Sequence, residues 1–276
     1  MNIECEHREI FNRKIYAIDG IGGSGKSHSL IKLSESLKSN ENEVVISKIA
    51  GMGNSERVGT LKKILYAREE QRKQGNQTER QLEDHKKQKL FRLATKYQTN
   101  LFLKSLDSYN ENTYHLLDRT PLMTLAFCLS EDPNNPYIDE IKEEALKLTK
   151  LLNIKKIFLL DIDPVISISR QLARSTIGVE NQDSMINNAL DIIQPPSDVR
   201  EKIILNTKKI IEKNPNLLKK EISLWDYSSY NVIVNESRGF HQALEIAKQE
   251  IGLEYIVIET DKPIDDIVSI IKSHII

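Results

Sequence analysis

A chain of 276 residues is long enough for one large α/β domain, or for one domain with a sizeable insertion. Its 39 basic and 40 acidic side chains leave a formal charge of -1, which excludes a global pull toward a nucleic-acid polymer. The opening MNIECEHREIFNRK has no apolar signal segment, and no apolar run nears the roughly 20 residues of a membrane helix, so a cytoplasmic protein without a membrane partner is expected.

The first β-rich run is KIYAID at Lys14–Asp19. A glycine-rich stretch follows, then a helix with Leu30, Leu33 and Leu37 on one face. The second run is EVVISKI at 43–49. Residues 56–108 are charged and helical in composition, with a polar break at 71–77; Leu90, Ala94, Tyr97 and Leu101 predict a buried face for the second half. The third run, YHLLD at Tyr114–Asp118, leads into a helix with Pro121 in its first turn. Ile138, Ile141, Ala145, Leu148 and Leu152 stripe the next helix, ahead of the fourth run, KIFLLD at Lys156–Asp161. Pro164 then opens a helix with Val165, Ile168 and Leu172 on its apolar side.

Residues 175–238 carry few strand signals. They contain a Pro195-Pro196 break and predict helices over 199–212 and 217–225, which reads as a helical insertion or enlarged lid within a single domain spanning 1–276. The chain closes with YIVIE at Tyr255–Glu259 and a helix striped by Ile264, Ile267, Val268, Ile271 and Ile275. The β-rich runs are nearly continuous in apolar residues, as strands buried on both faces of a parallel sheet are. Strands separated by helices predict a three-layer α/β sandwich.

The segment Gly20-Ile21-Gly22-Gly23-Ser24-Gly25-Lys26-Ser27 fits G-x-x-x-x-G-K-[ST] in full and lies between a strand and a helix. Glycines let main-chain N–H groups converge on phosphate oxygens, and a helix N-terminus adds a positive dipole end. Lys26 is then the residue to bridge the β- and γ-phosphates of ATP, and the Ser27 hydroxyl the ligand for Mg2+. His28 follows directly and lies near the phosphates without an assigned chemistry.

Asp118 and Arg119 end the third run, where ligands approach a parallel sheet. Asp118 suits a magnesium-bound water or the acceptor's proton; Arg119 suits a bidentate grip on an acceptor phosphate. A helix-starting Asp beside a surface Arg is the plainer alternative. Arg170 and Arg174, four apart, leave the same side of their helix and can neutralise a transferring phosphoryl group, unless they belong to a solvated face. His7, His28, His85, His115, His241 and His274 show no metal-ligand spacing. Cys5 and Cys128 lack CxxC partners, so neither a disulfide framework nor a zinc site is expected. The one tryptophan, Trp225, is expected in packing.

These residues resemble the thymidylate kinase-like branch of the P-loop nucleotide kinases. The similarity rests on AIDGIGGSGKS, KLFRLATKYQ, LLDRTPLMTLAF, IFLLDIDPVISISRQLAR and the C-terminal YIVIETDKPIDDIVSIIKSHI, and spans roughly two thirds of the chain. The resemblance implies a five-stranded parallel sheet, ATP with Mg2+, and phosphoryl transfer to a nucleoside monophosphate. By position, Asp118 and Arg119 match the acceptor-side pair, Arg170 and Arg174 the lid arginines, and Gln98 the base-side glutamine. Lys96 stands where an arginine is usual, and Lys48 stands where a phosphate-binding arginine follows the second strand.

Gly22 replaces a commonly acidic residue, and the 175–238 stretch exceeds a usual lid. The segment AIDG followed by a glycine-rich loop is also similar to that of uridine and cytidylate kinases. A nucleoside or other small hydroxyl compound is therefore a second acceptor class, and a regulatory nucleotide-binding NTPase a third reading. A homodimer is left open.

Overall fold

The computed structural model describes residues 12–38, 42–49, 77–131, 133–214 and 229–275, with the backbone alone for 77–88. The expected 217–225 helix and Trp225, the 71–76 part of the expected break, Cys5 and His7 lie outside them, as does the His85 side chain. Five strands form one parallel sheet: β1 (Lys14–Asp19), β2 (Val44–Lys48), β3 (Tyr114–Asp118), β4 (Lys156–Asp161) and β5 (Tyr255–Glu259). Their spatial order is β2-β3-β1-β4-β5, with every pair parallel.

Side chains alternate between two cores. Ile15, Ala17, Leu117, Ile157 and Leu159 face one side. There they pack against helices α3 (Leu122–Glu131), α4 (Ile138–Leu151), α5 (Pro164–Thr176), α6 (Gln182–Ile193) and α8 (Tyr230–Ile251). Ile18, Leu116, Phe158, Leu160 and Ile258 face the other, against α1 (Lys26–Leu37) and α9 (Ile264–Ser273). Helices on both faces satisfy a sheet whose strands are apolar on both sides. Because α1 and α3 leave neighbouring strands β1 and β3 on opposite faces, a crevice opens above the C-terminal ends of those strands.

Two expectations change. The long helix α2 (Gln77–Ser105) buries Ala94, Thr95, Gln98, Thr99 and Phe102, whereas Leu101 is 45% exposed and Leu90 and Tyr97 are half-buried. The inward row is set by where α2 meets α3 and the ring of His115, 5.6 Å from Phe102, and it carries polar residues that an apolar count overlooks. In the 175–238 stretch, α7 (Ser197–Lys213) covers the predicted 199–212 helix. Residue 238, however, falls inside α8, which continues to Ile251 along α3. Gly239 permits that crossing: a Cβ there would collide with the carbonyl of Ala126.

Candidate functional site

The loop joining β1 to α1 runs over residues that only a small or absent side chain allows. Gly20 has φ 138°, and a Cβ on it would lie 2.5 Å from the Leu160 carbonyl oxygen. Gly23 has φ 78°, with the Ser167 carbonyl oxygen 2.6 Å from its would-be Cβ. Ile21 and Ser24 are buried, Gly22 is partly exposed, and Ser27 and His28 are exposed on the first turn of α1. Gly25 caps α1 in a left-handed conformation, with no side-chain cap bond and no acidic residue in the first turn. The positive end of the helix dipole therefore meets no carboxylate of its own first turn.

Lys26 turns back under this loop. Its Nζ donates to the Ile21 carbonyl at 2.6 Å and to Ser24 Oγ at 3.3 Å, with 7% of the residue exposed. Burial, and then the nearby Arg119 charge, hold its ammonium well below the ordinary lysine value, against the opposing pull of Asp118, Asp19 and Glu236. Phosphate oxygens set beside Nζ would favour the charged form.

The adjoining strand end is tied to the loop. Ile18 accepts from the Arg119 N–H at 3.1 Å. Asp19, fully buried, accepts from the Thr120 N–H at 3.0 Å and from the Thr120 hydroxyl at 2.6 Å. Burial raises the Asp19 pKa, against the Thr120 hydrogen bonds and the Arg119 and Lys26 charges. Arg119 between them has φ 76°, left-handed backbone that a residue with a Cβ adopts at a cost. Its guanidinium lies 3.1 Å from Met123 Sδ, with the Phe127 and Phe240 ring centroids at 5.9 and 6.0 Å. It thus sits between α3 and α8.

Helix α5 braces the loop from the side. Asp163 caps it by accepting from Val165 and Ile166 N–H, and Ser167 then donates to the Gly22 carbonyl at 2.5 Å. Gln171, one turn on, lies against Gly22. Arg170 donates to the Thr260 carbonyl at 2.9 Å and, more weakly, to that of Gly23 at 3.5 Å. Arg174 lies one turn further and donates through Nε to the Arg170 carbonyl at 3.3 Å. Both arginines are partly buried, and burial lowers both guanidinium pKa values, with Arg174 adding to the effect on Arg170. They are not a solvated face. Across the crevice, α8 is fixed to β4 where Asp161 accepts from Ser237 Oγ at 3.2 Å and lies 3.3 Å from His241 Nε2.

The expected base-side pair is separated. Gln98 is buried, whereas Lys96 is exposed on α2 and pairs with Glu144 at 3.5 Å. Residues two apart on a helix point about 200° apart, so both cannot face inward. Lys48 stands in register with Asp118 at the C-terminal edge of the sheet, its side chain exposed. Asp19, Thr120, Ser167, Gln171 and Glu236 were not singled out from sequence. Asp19 had a visible signal, an acid inside an apolar strand directly before a glycine loop; Ser167, Gln171 and Glu236 sit on helix faces with none.

The residue types suit a magnesium-nucleotide: a glycine-built turn, a buried lysine, an exposed hydroxyl at Ser27 and the partly exposed carboxylate of Asp118. No protein-family model matches the chain, and no curated protein matches it significantly.

Proposed function

We propose that the chain transfers the terminal phosphate of ATP, with Mg2+, to a small nucleotide-like acceptor. The observation that carries this reading is Lys26, buried beneath a turn in which Gly20 and Gly23 admit no side chain, at the N-terminus of α1. Main-chain N–H groups of residues 22–27 would hold the triphosphate, and Lys26 would bridge its outer phosphates. Ser27 and Asp118 are the residues to hold Mg2+, which supplies charge neutralisation on the phosphate oxygens. Arg174, which donates through Nε to the Arg170 carbonyl, would be the lid arginine to turn toward the transferred group, while Arg170 would keep the loop in place. With an uncharged hydroxyl as acceptor, Asp118 would instead take the acceptor's proton. Catalysis here is positioning and electrostatic preorganisation rather than covalent chemistry.

A nucleoside monophosphate is the acceptor that the sequence resemblance implies, with Arg119 and Lys48 on the acceptor side. A nucleoside or another uncharged hydroxyl compound is favoured by a different observation. Lys96 is engaged by Glu144 outside the crevice, while Asp118, Asp19 and Glu236 all act electrostatically on Lys26. Carboxylates gathered there oppose a second phosphate. An ATP-consumption screen across nucleosides and their monophosphates, with an acceptor-free control, separates the readings. Acceptor-dependent ADP formation is expected; turnover that is equal with and without any acceptor would replace the kinase with an NTPase.

A further inference from the structure

We propose that Asp19 and Thr120 form a positioning pair that holds Arg119 in its left-handed backbone and thereby seats its guanidinium between α3 and α8. The proposal rests on the phosphotransfer reading for its consequence, though not for its geometry. Two observations carry it. Arg119 has φ 76°, a conformation a residue with a Cβ keeps only when its surroundings enforce it. The enforcement is visible on both sides. Before it, the Arg119 N–H is bound to the Ile18 carbonyl at 3.1 Å; after it, the Thr120 N–H and hydroxyl both donate to the buried Asp19 carboxylate, at 3.0 and 2.6 Å.

The chain is thus pinned at residues 119 and 120 to the end of β1, and the left-handed turn is what remains between the pins. An extended or right-handed Arg119 would swing its side chain away from Met123, Phe127 and Phe240. Asp19 also lies immediately before the glycine turn, so the pins set the distance between the donor loop and the arginine that faces the acceptor. Thr120 is fully buried, with its hydroxyl committed to Asp19, so it acts through Arg119.

The test is a double-mutant cycle on the full chain, with ATP consumption followed using thymidine 5′-monophosphate and thymidine as probe acceptors. Thr120→Val removes the hydroxyl and keeps the main-chain donor. It is expected to lower kcat/KM for the acceptor about tenfold while the KM for ATP moves less than about twofold. Thr120→Ser, which keeps both donors, restores acceptor kcat/KM to within about twofold of the original. In an Arg119→Ala background, Thr120→Val adds less than about a further twofold. Additive losses, or equal losses for ATP and acceptor, overturn the proposal.

Two readouts need no activity. Slow amide exchange at the Thr120 N–H of the unmodified chain, and an Arg119 Nε–H resonance that shifts in Thr120→Val but not in Thr120→Ser, support the pair. Rapid exchange at Thr120 overturns it, whether or not Thr120→Val folds. If neither probe is phosphorylated, thymidine acceptors are excluded on their own while these signals still decide the positioning claim.

Discussion

Arg119, Lys26 and His115 each hold a conformation or an ionisation state that the isolated amino acid would not choose. For Arg119 the cost is conformational, and it predicts an inversion of the usual glycine penalty. Arg119→Gly should be more stable than Arg119→Ala by about 1 kcal/mol, because only alanine retains a Cβ at φ 76°. Chemical denaturation of the two variants checks the order; alanine at or above glycine would mean the turn is not enforced. Lys26→Ala should lower phosphoryl transfer by at least about a hundredfold while leaving the cooperative unfolding transition intact, since the lysine bonds only to its own loop. Undiminished turnover in that variant would reject the role given to Lys26.

His115 is a residue whose sequence context announced nothing. It lies on β3, fully buried against the rings of Phe102 and Tyr109, with neither ring nitrogen hydrogen-bonded to any described residue. Burial, aided by the Arg13 charge, lowers its pKa from 6.5 to about 4. Well above pH 6.5 neither folded nor unfolded chain holds the proton. Between 6.5 and about 4 the unfolded chain takes it up and the folded one does not, so stability falls as the pH falls through that window, by roughly 3 kcal/mol in all. Urea titrations of the original chain and of His115→Leu check this: the variant should lose that part of the pH dependence. A parallel decline in both would place the effect elsewhere.

Among the elements, the strands were the most legible. All five β-rich runs lie where the sequence puts them: β1, β3 and β4 are largely buried and leave no polar alternation to misread, while the partly exposed edge strands β2 and β5 are still apolar runs. Turn chemistry was legible where one residue type decides it: the glycines of the loop and the Asp163-Pro164 helix start. The inner face of α2 was not, since Thr95, Gln98 and Thr99 are buried there while Leu93 and Leu101 face outward. Which face of a helix turns inward depends on what it meets, and α2 meets partners far along the chain. The α3–α8 crossing was equally hidden, resting on Gly239 against Ala126. Gly239→Ala should push these helices apart and cost about 1–3 kcal/mol, read by thermal or chemical denaturation. A neutral substitution would show that α8 is loosely seated, and would weaken the place given to Glu236 and Phe240 at the crevice.

For the molecule as a whole, the sheet order β2-β3-β1-β4-β5 brings the glycine loop, the Asp118-Arg119 turn and the α5 arginines to one edge, although they are separated by up to about 150 residues in sequence. The sequence motif specified the loop; the topology specifies what surrounds it, including Asp19, Ser167 and the Asp161 anchor of α8. Among the described residues, no helix is long and apolar enough to cross a membrane. The central claim is that the main-chain N–H groups from Gly22 to Ser27 hold a triphosphate above Lys26. A crystal structure grown with a non-hydrolysable ATP analogue and Mg2+ tests it most directly. The account predicts the β- and γ-phosphates within hydrogen-bond reach of those amides and of Lys26 Nζ; an analogue bound elsewhere, with the loop unchanged and Lys26 still on Ile21, would contradict it.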